Sequence, residues 1–331
     1  MQSTAPYARL STIFLSRLGG SPFGWALGHS AFYFFAEQEY KMTTLINING
    51  NIVEPEKAFI SVFDHGLLFG DSVYEVFTTH KGKLFAEKEH LTRLKASAKA
   101  ISLKTPFTNE YLLEEMQKTI DAAENSESYV RMVITRGKGD IHISPVSCHS
   151  PSMILYVKEA EKYPEEYYSK GITISIVSTK RNLKDSLNPG IKTGNYLNSI
   201  LAIIEAEKLG AHDGLMLNSD GFVSECTTSN FYLVKNGAVK TADPECGILV
   251  GITRKMLIDV ARENGITVQE CKISPEEIPA VDELFITSTT KGVMPVTMCD
   301  GKKIGDGKPG PVSKKLRSLY QKKLDKIVDD K

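Results

Sequence analysis

The chain has 331 residues, 41% hydrophobic and 24% charged, enough for two domains or one large α/β domain of ordinary soluble composition. Its 40 basic and 40 acidic residues cancel, which excludes the broad field expected of a partner for nucleic acid or an anionic membrane. Five scattered cysteines with no CxxC pair argue against a disulfide framework or a zinc site and for a reducing, cytoplasmic compartment.

Residues 1–41 differ in character from the rest of the chain. Ser11 to Phe35 is rich in Gly, Ser and aromatics, holds the only tryptophan, Trp25, and lacks helical or strand periodicity. Its apolar run is broken at Gly28, His29 and Ser30, too short and polar to span a bilayer. No small-residue cleavage site comes after it, as a signal peptide would require. The segment is read as a poorly ordered or spurious extension before a functional start at Met42, with a docking arm as the alternative.

From Met42 the pattern is regular. Strands are expected at 44–48 and 57–62, then a glycine-punctuated loop at 64–71, a strand at 72–79 and a hairpin turn at 80–83. Leu91, Leu94, Ala98 and Ile101 give 87–103 the spacing of a helix with one buried face, and a second helix is expected at 109–124. Strands are expected next at 129–135 and 153–157. The polar stretch 159–170, with Pro164 and a tyrosine pair, reads as a linker between a domain at 42–158 and another at 171–331. Beyond it come a strand at 172–178 and a helix at 196–209 stopped by Gly210. Turns at 218–221 and 235–237 frame a strand bearing Glu225. A helix at 252–263 and a buried strand at 283–288 complete the series. Strands dominate, with helices in no strict βαβ order, so the fold class is α+β rather than a doubly wound sheet.

Several segments carry candidate chemistry. Ile191-Lys192-Thr193-Gly194-Asn195-Tyr196-Leu197-Asn198 sets Lys192 in a glycine-containing turn before a helix, where its amine can face a pocket; taken alone, in a chain with many lysines, it reads as an exposed loop lysine. Glu225 lies in Gly-Phe-Val-Ser-Glu-Cys-Thr-Thr-Ser-Asn-Phe, an outward-facing carboxylate being the alternative. Gly251-Ile252-Thr253 opens a helix with Thr253 as its expected cap, and the hydroxyl and nearby amides suit an oxyanion. Arg93, in His90-Leu91-Thr92-Arg93-Leu94, is by itself a solvated helix charge. The hydroxyl run Thr287-Ser288-Thr289-Thr290 suits a ligand with several acceptor oxygens. No cluster has metal-ligand spacing, and Arg136-Gly137-Lys138-Gly139 lacks the spacing of a nucleotide fingerprint.

Together these segments resemble the fold-type IV pyridoxal-phosphate-dependent aminotransferases (class-IV aminotransferases), over about Ile46 to Leu319. That family holds branched-chain and D-amino acid aminotransferases and aminodeoxychorismate lyases. The resemblance implies a two-domain α+β fold, a small N-terminal α/β domain and a larger β-rich C-terminal one, with pyridoxal 5′-phosphate as cofactor. It implies that Lys192 forms the Schiff base and carries the proton, and that Glu225 keeps the ring nitrogen protonated. Arg93, Gly251, Ile252 and Thr253 would hold the phosphate. Tyr196 would lie near the ring hydroxyl, a core tyrosine being the alternative. Thr289 and Thr290 would serve the phosphate and the substrate carboxylate.

The segments split over which member is meant. Tyr129-Val130-Arg131 resembles the branched-chain enzymes' carboxylate-binding Tyr-x-Arg, and the Gly-Pro segment 304–312 points the same way. Tyr74-Glu75-Val76 puts Val76 where those enzymes usually keep glycine, and looks more like D-amino acid aminotransferases. The Arg-x-His trap of the latter is absent, and His142 reads as a surface-loop residue. Phe69, Tyr74 and Val76 favour a small aliphatic substrate over the lyase's large anionic one. The expected activity is transamination from a branched-chain L-amino acid to 2-oxoglutarate, with a D-amino acid aminotransferase or the lyase as alternatives. The family also implies at least a homodimer, with a partner loop around 140–147 completing the pocket.

Overall fold

The computed structural model describes residues 44–330; the expected extension at 1–41 lies outside the described residues. Two sheets organise the chain. The first comprises β1 (Leu45–Ile48), β2 (Asn51–Val53), β3 (Ser72–His80), β4 (Lys83–Leu84), β5 (Ser128–Thr135) and β6 (Ser152–Glu159). Their order is β2-β1-β6-β5-β3-β4, and every pair is antiparallel. Helices α1 (His65–Phe69), α2 (Glu87–Ala100) and α3 (Asn109–Ala123) belong to this part of the chain. Alternation along β3 sends Val73 and Phe77 into a core with Leu91 and Leu94 of α2 and Met116 of α3. Tyr74, Val76 and Thr78 go to the opposite face, where they line a cavity.

After α4 (Glu165–Ser169) the second sheet begins. It contains β7 (Ile172–Ile176), β8 (Asp213–Leu217), β9 (Val223–Cys226), β10 (Asn230–Lys235), β11 (Ala238–Ala242), β12 (Val268–Cys271), β13 (Glu283–Ser288), β14 (Gly292–Cys299) and β15 (Lys302–Lys303). The order is β12-β11-β10-β13-β14-β7-β8-β9, with β15 on β14. The β7–β8, β7–β14 and β11–β12 pairs are parallel and the rest antiparallel, the mixture expected of α+β. The sheet curls so that β9 returns beside β10 and β11. One face of the curl encloses Ile174, Leu215, Phe231 and Ile286. On the other, Tyr232 and Phe285 stack at 4.6 Å beneath α6 (Ile252–Glu263) and α7 (Pro311–Asp329). Helix α5 (Leu197–Lys208) sets Ala202 and Ala206 against Met216 of β8.

Three expectations are corrected. Residues 57–62 form no strand: a single 3-10 turn, Pro55–Lys57, precedes an unpaired run with Phe59 and Val62 exposed, because β1 takes β2 as its edge partner instead. The expected loop at 64–71 contains α1, capped where the Asp64 side chain accepts the Gly66 amide and closed by Gly70 at φ +68°. Within the stretch 159–170 lies α4. The turn at 235–237 joins β10 to β11; β9, which holds Glu225, instead ends in the 227–229 turn. No helix among the described residues is long and apolar enough to cross a membrane.

The chain leaving β5 doubles back at Gly137, whose carbonyl takes the His65 amide. A Cβ there would stand 1.9 Å from the Ser150 carbonyl oxygen, at φ +90°. Gly137→Ala is therefore expected to cost about 2–3 kcal/mol in a urea titration. Gly265→Ala, also at positive φ but with nothing within 4 Å, should cost only about 1 kcal/mol. Equal costs would mean that the Gly137 turn relaxes away from the contact.

Candidate active site

A cavity of about 590 Å³ is lined from both sheets. Its central group is Lys192, on the long connection between β7 and α5. The segment is fastened to β3 as a short antiparallel bridge, Val73 opposite Thr193. The Tyr74 amide donates to the Lys192 carbonyl at 3.1 Å and the Gly194 amide to the Ser72 carbonyl at 2.9 Å. From α2, Ser97 Oγ accepts the Lys192 amide. With its backbone held on three sides, the lysine sends Nζ to the Tyr74 hydroxyl at 3.1 Å, 4.3 Å from that ring's centroid. The side chain is partly accessible, and the surface it shows lines the cavity. Burial, then repulsion from Arg93, push its pKa down to about 8, against the pull of Glu75 and Glu225.

Arg93 is not a solvated charge. Its Nε and Nη2 donate to both oxygens of the buried Glu75, at 2.7 and 2.9 Å, and Nη1 donates to the Val250 carbonyl. His90 Nδ1 meets the same carboxylate at 2.7 Å. Burial alone would raise Glu75, but the bonds from Arg93 and His90 outweigh it and hold the carboxyl down to about 2. The β3 alternation that points Tyr74 and Val76 into the cavity thus points Glu75 at α2, where it orients Arg93.

Glu225 also faces the cavity and is buried. It pairs with Arg181 at 2.8 Å and accepts from the Leu249 amide and Asn230 Nδ2. Burial raises its pKa, and Arg181 is the main counterweight. Sequence reasoning missed Arg181, which sits in a loop with no motif around it.

At the start of α6 the cap is Gly251, not Thr253 as expected; Thr253 lies one position past the first helical residue. Glycine is required there because a Cβ would come within 2.2 Å of Asn230 Oδ1. The Thr253 hydroxyl is buried and lacks a hydrogen bond of good geometry, as does that of Thr287, and both residues line the cavity. A helix N-terminus, two hydroxyls on the cavity wall and Arg93 make a receptive place for a phosphate. Ile252, Thr289 and Thr290 complete that wall.

The opposite wall holds Tyr74, Val76, Tyr129 and Arg131, with Val76 paired to Arg131 in the β3–β5 register. The Arg131 guanidinium lies 4.1 Å over the Tyr74 ring. Tyr196 meets Tyr74 edge-on at 5.5 Å, and burial raises its phenol. Phe69 is not brought to this wall. Because 65–69 is helical rather than a continuation of β3, its ring turns to the His65 imidazole at 4.9 Å and stays 40% exposed.

A lysine that loses its proton near neutral pH attacks carbonyl carbon, and a phosphate cradle beside it suits a phosphorylated cofactor with a carbonyl group. The fold and site together define an enzyme of amine–carbonyl exchange. The chain belongs to the class IV amino-transferases, whose family model matches residues 72–299. It is 38% identical to a putative branched-chain-amino-acid aminotransferase of Methanocaldococcus jannaschii, covering 83% of this chain and 95% of that one. It is 31% identical to the D-alanine aminotransferase of Bacillus licheniformis, over 83% and 95%. The branched-chain amino acid aminotransferase of Thermobaculum terrenum, solved in its PLP holo form, superposes with a TM-score of 0.77 at 28% identity, over 85% of this chain and 93% of that one. The chain is an aminotransferase, and class IV aminotransferases depend on pyridoxal phosphate.

Acylation of Lys192 in cofactor-free protein should follow a titration with its midpoint near pH 8 rather than 10.5. Arg93→Gln removes a repelling cation and leaves Glu75 uncompensated, so both effects should move that midpoint upward. A wild-type midpoint at the ordinary lysine value would show that the amine is solvated.

Proposed function

We propose that this enzyme moves the amino group of a small aliphatic, branched-chain L-amino acid to a 2-oxo acid, 2-oxoglutarate foremost, with pyridoxal 5′-phosphate. The observation that carries the reading is the Tyr74–Val76–Tyr129–Arg131 wall, which sets an apolar surface beside a guanidinium with no carboxylate partner among the described residues. Arg131 and Tyr129 bind a substrate carboxylate there, while Tyr74 and Val76 pack its side chain. Thr289 and Thr290 offer hydroxyls from the facing turn.

The α6 amides at Gly251 and Ile252, the Thr253 hydroxyl and Arg93 hold the phosphate, and Tyr196 lies by the ring hydroxyl. Glu225, anchored by Arg181, holds the proton on the ring nitrogen. When bound, the cofactor supplies an electron sink for the pair released as the substrate Cα–H bond breaks. Lys192 Nζ takes that proton and returns it, a task suited to a group with a pKa of about 8. Walls from both sheets keep water from the reacting carbon.

A second reading, a D-amino acid aminotransferase, is favoured by Val76 beside Tyr74 and by the Bacillus licheniformis relative. Spectra of the half-reaction decide between them. Without any 2-oxo acid, L-leucine should bleach the visible band of the lysine-bound cofactor and D-alanine should not. Bleaching by D-alanine alone would select the second reading, and no response to either would favour the lyase. Lys192→Ala should lack both band and turnover.

A second copy of this cytoplasmic enzyme is the partner we propose. Phe59, Val62, Ile141, Ile143 and Val146 are 68–83% exposed, on two segments joined by the Gly139–Phe63 backbone bond and the Asp64–Lys138 bridge. The loop at 140–147 then completes the neighbouring pocket. Sedimentation should find a dimer, and Ile143→Asp with Val146→Asp should give a monomer with at least tenfold lower kcat/KM. A fully active wild-type monomer would overturn this arrangement.

A further inference from the structure

Behind the cavity lies an ion pair that the proposed chemistry does not use. Lys291 leads into β14 with its side chain 14% exposed, against Asp213 of β8 at 2%. Its Nζ donates to Asp213 Oδ2 at 3.2 Å, Thr228 Oγ1 at 3.0 Å and Ser229 Oγ at 3.0 Å, which uses all the donors an ammonium has. The other oxygen of Asp213 accepts from the Thr227 amide, the Thr227 hydroxyl and the Gly214 amide. Burial acts to lower the Lys291 pKa, but Asp213 outweighs it, so the lysine stays charged.

Through the side chain of Lys291 the pair joins two turns that face the cavity. One, 227–229, comes after the Glu225 strand; the other carries Thr289 and Thr290. The strands flanking them, β10 and β13, pair in register up to Asn230 and Thr287. Beyond that rung the backbone ladder stops, and the Lys291 cluster carries the connection. Lys291 is itself anchored from the other side, where the Tyr168 hydroxyl donates to its carbonyl at 3.0 Å. A buried ion pair can often be replaced by apolar side chains without loss of stability, so burial alone does not assign this one a stability role. Its hydrogen bonds have direction, which apolar packing lacks.

We infer that Lys291, neutralised by Asp213, is a positioning residue that clamps the 227–229 turn to the Thr289–Thr290 turn and so sets the width of the substrate-facing wall. The inference rests on the role proposed above for Thr289 and Thr290. Lys291 touches neither substrate nor cofactor; it acts through the turns it binds.

The test compares Lys291→Met, Lys291→Arg and the double variant Asp213→Asn/Lys291→Met, which keeps the Oδ1 acceptor for Thr227 and Gly214, all as cofactor-loaded full chain. The double variant should fold with nearly wild-type Tm and keep the cofactor's visible band. Its KM for the amino donor should rise about tenfold while kcat changes less than about threefold, the mark of lost substrate placement. Amide exchange at 227–229 and 289–291 should accelerate about tenfold, with the rest of the sheet unchanged. Lys291→Arg should recover part of both effects, and Lys291→Met alone should be the least stable because it strands Asp213. Wild-type KM and wild-type exchange at both turns in the double variant would overturn the clamp. So would faster exchange spread evenly over the sheet, which would mark a purely structural role. If the wild type transaminates neither leucine nor D-alanine, the proposed function fails, yet the exchange data still decide the clamp.

Discussion

The Lys192 carbonyl accepts the Tyr74 amide, and the Ser72 carbonyl accepts the Gly194 amide, so a loop of the second sheet's chain is tied as a short strand to β3 of the first. Each such bond contributes only about 1 kcal/mol. Their importance is geometric, because they bring a lysine from one part of the chain to a wall built by another. Gly194 permits the approach, since a Cβ there would stand 2.2 Å from Ser72 Oγ. The same strand then serves three purposes. Its edge holds the lysine, one face lines the cavity with Tyr74, Val76 and Thr78, and the other presents Glu75 to Arg93.

Charge is set by that placement. Arg93 is held by Glu75, and from there it disfavours the protonated form of Lys192. Glu225 is held by Arg181. Each carboxylate is thus matched to an arginine, and burial with Arg93 brings the lysine down to about 8, where its proton exchanges near neutral pH. The third buried pair, Lys291 with Asp213, stands apart from the proton chemistry and ties turns together.

Much of this architecture was legible in the residues. The helix at 252–263 and the strand at 283–288 match their expected bounds, because each has a clean period and a turn residue at its limits. The failures have physical causes. Phe59, Ile60 and Val62 have the composition of a strand, but a strand needs a ladder partner, and β1 is already paired with β2 on one edge and β6 on the other. Glycines at 66 and 70 suggested a loop, whereas the Asp64 cap makes five residues helical. That helix is also why Phe69 leaves the wall to which its neighbours in sequence belong.

Sequence alone determined the α+β class, the lysine ahead of a helix, the glycine opening α6 and the strand that carries Tyr74, Glu75 and Val76. These are local properties, set by dihedral preferences and side-chain spacing over a few residues. Tertiary structure alone decided that Glu75 would orient Arg93, that Arg181 would hold Glu225, and that Lys291 would reach Asp213 across 78 positions of chain. Such pairings depend on how the sheets curl and where the loops close, and no period or spacing near either partner encodes that closure.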